Sequence, residues 1–140
     1  MYTREVPGPD IKKWITSTIS LAFARDWYEM KTPFTRKIKN ITQRWEDVRN
    51  MKEQRVLSRL RTGHTRITHN VEGGSDFRRS CTICRIITSV EHIICNCPQF
   101  EDIRHKHRLP LNIDSALKND PAIESALISF LKDAGLFNDI

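Results

Sequence analysis

A chain of 140 residues, 39% hydrophobic and 29% charged, is the size of one ordinary domain with a modest core, so an added cross-link is expected. The formal net charge of +6 is unevenly spread, and a basic middle suggests a polyanion-facing surface, the alternative being a solvated lysine- and arginine-rich helix face. No stretch nears the roughly 20 apolar residues of a membrane span, and Met1 to Asp10 lacks a signal-peptide pattern; the expected setting is intracellular, nuclear or cytoplasmic, with no membrane partner.

In chain order, residues 1–10 read as a connector, with Pro9 setting a turn and Asp10 offering a carboxylate to cap the first helix. Ile11, Trp14, Ile15, Thr18, Ile19, Ala22 and Phe23 recur at helical spacing, with Trp27 continuing the stripe. They predict a helix over 11–29 whose aromatic residues pack in a core. Thr32-Pro33 ends it, because proline disfavours a helical residue before it. Phe34, Ile38, Ile41 and Trp45 are intermittent anchors, with a short helix expected around Trp45 to Asn50.

Val56, Leu57 and Leu60 then define a helix over 52–61, which Gly63 stops in a left-handed cap. Thr65 to His69 suggests one further turn, and residues 72–76 a loop. Pro98 opens a helix to about Arg108, with Phe100 and Ile103 inward. Asp114 or Ser115 is the expected cap of a short turn. Asp120-Pro121 starts the last helix, with Ile123, Leu127, Phe130, Leu131 and Ala134 as its apolar face and Gly135 as its end. The expected fold is mostly α, a small helical domain with one Cys-Cys-His-Cys zinc knuckle. It spans 11–110, and residues 111–140 form a C-terminal helical segment packed on the same domain.

All four cysteines fall between residues 81 and 97. A disulfide framework would be spread along the chain, whereas a metal site gathers cysteine with histidine. Cys81 and Cys84, two residues apart, turn both sulfurs toward one point, and His92 and Cys97 can return to complete a tetrahedron. Thiolate and imidazole donors in fourfold coordination suit Zn2+. Four protein ligands leave no place for a reactive water, so the site reads as structural and the chain as no enzyme. Cys95, three positions after His92, competes with Cys97 for the fourth place; Cys97 is preferred because Pro98 comes directly after it, as at the end of a knuckle opening a helix.

The basic charge is concentrated. Residues 31–69 hold eleven basic and three acidic side chains, a balance of +8, against 0 for 1–30, +1 for 70–110 and −3 for 111–140. Arg55, Arg59, Arg61 and Arg66, with Arg36, Lys37 and Lys39 upstream, are the candidate phosphate contacts to RNA or DNA.

The run Arg59-Leu60-Arg61-Thr62-Gly63-His64-Thr65-Arg66-Ile67-Thr68-His69, then Cys81-x-x-Cys84, then Val90-Glu91-His92-Ile93-Ile94 leading to Cys97-Pro98, resembles one family. It is the zinc-knuckle tail located after the ribonuclease H domain in polyproteins of jockey-like non-LTR retrotransposons. Pro9-Asp10-Ile11-Lys12 fits its opening, Trp27 and Trp45 occupy compatible places, and the likeness covers residues 7–105. It implies Cys81, Cys84, His92 and Cys97 as the ligands, and a piece of an RNA-directed DNA polymerase with ribonuclease H.

The sequence departs from that pattern at Ser80, where a proline is common, at the additional Cys95, and in the polar loop after His69. Asp10, Asp26 and Glu29 are too few and too close to hold two catalytic metal ions. Two functions are expected. The first is a nucleic-acid-binding accessory module. The second is a structural or protein-interaction cap on the neighbouring reverse transcriptase or ribonuclease H domain, in which the arginines pair with carboxylates and His64 is a buried, hydrogen-bonded core residue.

Overall fold

The structure, a computed structural model, describes residues 8–29, 33–39, 45, 49–70 and 77–140. The chain is mostly helical, as its periodicity predicts. It divides into two units, one of residues 1–32 and 41–44, the other of residues 33–40 and 45–140. Residues 111–140 lie in the same unit as residues 45–110. The features expected at Ile41, at residues 46–48 and at residues 72–76 lie outside the described residues.

Helix α1, Gly8–Glu29, begins before Asp10, so that carboxylate sits in its first turn rather than ahead of it. The stripe expected to pack in a core is exposed instead: Trp14 is 68% and Ile19 63% accessible, and Ile11, Ile15 and Phe23 are exposed too. Phe23 and Trp27 meet each other, with ring centroids 6.1 Å apart. Periodicity identifies an apolar face without saying what covers it. The second unit closes its own core with residues from Ile38 to Ile140.

In that unit, α2 (Pro33–Ile38) precedes α3 (Met51–Thr62). Asn50 caps α3, its Oδ1 accepting from the Lys52 and Glu53 amides at 3.1 and 3.0 Å. Gly63 ends α3 at φ 73°, where the Gly63 amide donates to the Leu60 carbonyl and the His64 amide to that of Arg59. A Cβ at Gly63 would lie 3.0 Å from Phe34 Cδ1. The glycine thus serves both the left-handed turn and the approach of Phe34 to α3. Gly63→Ala is expected to cost about 2 kcal/mol, from left-handed strain and the displaced ring. Urea unfolding checks this; a loss below about 0.5 kcal/mol would contradict it.

After a turn at 65–68, β1 (His69–Asn70) pairs antiparallel with β2 (Phe77–Arg78), His69 opposite Arg78. The chain then passes through the cysteine loop into α4 (Glu101–His107), α5 (Ile113–Ala116) and α6 (Pro121–Asp133). Asn112, not Asp114 or Ser115, caps α5, its Oδ1 accepting from the Ser115 amide at 2.9 Å. Asp120 caps α6 as expected, accepting from the Ala122 and Ile123 amides.

Leu127, Phe130 and Leu131 of α6 join Val56, Leu57 and Leu60 of α3, Ile113 and Ala116 of α5, and Val90 and Ile94 in one core. Residues 111–140 thus share that core with the segment carrying the cysteines. Among the described residues, no helix is long and apolar enough to cross a membrane.

Candidate metal centre

Two local structures build the site. The first is the loop Cys81–Arg85. The Cys81 amide donates to the Ile86 carbonyl and the Arg85 amide to the Cys81 carbonyl, both at 2.8 Å. Arg85 takes the left-handed conformation, φ 56°, that closes this turn. The second is a π-helical turn, His92–Asn96, entered through Ser89, whose Oγ accepts from the His92 amide at 3.0 Å. It closes when the Cys97 amide donates to the His92 carbonyl at 2.6 Å. In an α-helix, residues five apart point well away from each other. The wider i to i+5 turn brings His92 and Cys97 to one side, a use that single π turns often have at functional sites.

Cys81, Cys84, His92 and Cys97 therefore converge, with their donor atoms all within 4.8 Å of one another. These four could hold a metal ion. The Cys81 and Cys97 sulfurs are 3.9 Å apart, close to the edge of about 3.8 Å for a tetrahedron with Zn–S near 2.3 Å. His92 is 5% accessible, and its Nε2 is buried without a hydrogen-bond partner. Such an orphan costs roughly 1–3 kcal/mol unless something bonds it. A metal ion would.

The sulfurs differ in acidity. Cys81 is drawn down to about 6, first by the Cys84 backbone amide and then by the His92 imidazole. Cys84 is pushed up to about 11, by burial and then by the Cys81 sulfur beside it. Three thiols around one point cannot all ionise without a compensating charge. Cys95 takes no part. It is packed in the core with Ile94 and Leu109, and burial pushes its thiol up to about 11.

One residue outside the expected set supports this centre. Arg104, buried, donates from Nη2 to the Cys97 carbonyl at 2.7 Å and from Nη1 to that of Ile93 at 3.4 Å. It holds the end of the π turn and forms no ion pair with a carboxylate among the described residues. A divalent ion with three thiolates carries a net charge of about −1, which offsets a buried guanidinium. Its sequence signal is its place four residues after the inward Phe100 on the same helical face.

The seven expected phosphate contacts separate. Lys37, Arg55 and Arg66 are exposed, and Arg36 and Lys39 half-buried, with Lys39 Nζ lying 5.1 Å from the Trp45 ring centroid. Arg59 and Arg61 are instead engaged within the chain. Arg59 Nη1 donates to the Ile140 main-chain oxygen at 2.7 Å. Arg61 donates to the Leu117 carbonyl at 2.9 Å and to Glu124 Oε1 at 2.7 Å, its guanidinium 4.4 Å from the Trp45 ring centroid. These residues lie three after Val56 and four after Leu57, on the buried side of α3, whereas Arg55 comes four after exposed Met51.

His64 also differs from the core residue expected. It is exposed and has no side-chain hydrogen-bond partner among the described residues, while His69 Nδ1 is 2.7 Å from Thr68 Oγ1.

No family model matches this chain, and no curated protein or solved structure gives a significant match.

Proposed function

We propose that this chain is a zinc-stabilised accessory module that binds RNA or DNA through the phosphate backbone, the tail portion of a retrotransposon-type reverse transcriptase and ribonuclease H polyprotein. Zinc, held by Cys81, Cys84, His92 and Cys97, supplies folding energy. With all four positions taken by protein donors, the centre is structural and the module non-catalytic.

The observation that carries the nucleic-acid reading is the set of exposed arginines on the segments joined to the metal loop. The Arg79 amide donates to the Thr68 carbonyl, the Thr88 amide to that of Arg79, and the Cys81 amide to that of Ile86. These bonds bring residues 66–69, 78–81 and 85–88 together, and with them exposed Arg66, Arg78 and Arg85. In this reading exposed Arg78 and Arg85 join Arg66 and extend the basic surface toward the metal loop.

Affinity for a single strand is expected to fall steeply with salt, and Arg66→Gln to lower the log–log salt slope by about 1. Fluorescence anisotropy across a salt series checks this; no binding at low salt would overturn it.

A second reading, the protein-interaction cap, is favoured by Ile83, Ile86 and Ile87, which are 60%, 52% and 57% accessible on the same loop. It predicts binding to the neighbouring catalytic domain and none to a nucleic-acid strand at low salt.

A further inference from the structure

The Schellman turn at Gly63 does more than end α3. It delivers His64 against His69, with ring centroids 4.1 Å apart and ring planes at 30°. Both imidazoles line a cleft of about 330 Å³, within the size range of small-ligand sites. Directly opposed residues of an antiparallel pair share a face, and His69 is opposite Arg78, which also lines the cleft. The hydroxyl residues Thr62 and Ser89 stand along its wall, and no acidic residue is among the described residues that form it.

The chemistry of this cleft is specific. It combines an exposed aromatic ring already stacked on one neighbour, a guanidinium, and hydroxyls able to meet polar ring edges. Unstacked nucleobases are held by such rings, histidine included, with arginine on the adjoining phosphate.

We propose that the His64–His69 cleft takes one unstacked nucleotide of a single strand, its base against the His64 ring and its phosphate on Arg78. The site rests on the nucleic-acid reading above and adds to it a place where a base, not merely a backbone, is held. It explains why an exposed histidine without a hydrogen bond is kept in a stack.

The test uses the full zinc-loaded chain and two single-stranded DNA probes of about ten nucleotides, oligothymidylate and an abasic strand with the same phosphates. Wild type is expected to hold oligothymidylate about tenfold tighter than the abasic strand. His64→Ala should remove that preference with zinc content and melting temperature unchanged, and His64→Phe should retain it. Arg78→Gln should weaken both probes alike.

Equal binding of the two probes by wild type, or a preference surviving in His64→Ala, overturns the nucleotide site and leaves the phosphate reading standing. Failure of both probes to bind at low salt sinks the phosphate reading and this site with it. Adenosine monophosphate binding tighter than oligothymidylate would assign the cleft to a free nucleotide and overturn the single-strand assignment.

Discussion

Cys97→Ser is expected to abolish zinc binding and unfold the second unit, whereas Cys95→Ala leaves one zinc per chain and the fold intact. The contrast arises from placement. Cys97 stands at the metal cluster, at the end of a turn that also positions His92. Cys95 points into the core, where its loss trims one small apolar side chain.

Closed zinc sites contribute apparent binding energies of about 10–16 kcal/mol, which become folding energy. That rivals or exceeds the whole stability of a typical domain, about 5–15 kcal/mol. Chelation should therefore unfold the wild type, and zinc should refold it. Circular dichroism with metal analysis on both variants checks this. A Cys97→Ser protein that keeps its zinc, or a Cys95→Ala protein that loses it, would contradict the assignment.

Glu124→Gln is the second large effect, about 3 kcal/mol by urea unfolding. Glu124 is 5% accessible and accepts from Arg49 Nε at 2.9 Å, Arg61 Nη2 at 2.7 Å and Asn119 Nδ2 at 3.0 Å. It also stands in the first turn of α6, where the helix dipole favours a carboxylate. Removing its charge leaves two partly buried guanidinium groups facing a neutral amide.

The pH dependence has a definite sign. Burial alone would raise the Glu124 pKa, but Arg49, Arg61 and Asn119 outweigh it and lower it below the ordinary 4.5. A carboxyl depressed on folding stabilises fully above its unfolded pKa. That contribution is therefore present at neutral pH and is lost as pH falls from about 4.5 through the lower folded value. Glu124→Gln should flatten this part of the stability profile. A profile identical to wild type, or a loss under about 1 kcal/mol, would show that the pair contributes little.

How much of this was legible in the sequence depends on the range of the forces involved. Local signals were readable: Gly63 needs its left-handed turn, Asp120-Pro121 caps a helix, and Cys81-x-x-Cys84 closes a tight loop. The apolar spacing of α3 and α6 identified their buried faces. The π turn was hidden, because the five-residue step from His92 to Cys97 gives no periodic pattern. The inward direction of Arg61 was hidden differently. Its spacing from Leu57 places it on the core side, but only the distant Glu124 and Trp45 explain how a cation is accommodated there. The opposite error affected α1, whose regular stripe predicts burial that Trp14 and Ile19 do not have.

X-ray absorption at the zinc edge, on the protein refolded with one equivalent of zinc, reads the ligand shell itself. One bound zinc is expected, with three sulfurs near 2.3 Å and one nitrogen near 2.0 Å, and no coordinated water. A shell with two sulfurs and an oxygen, or no retained zinc, would contradict it.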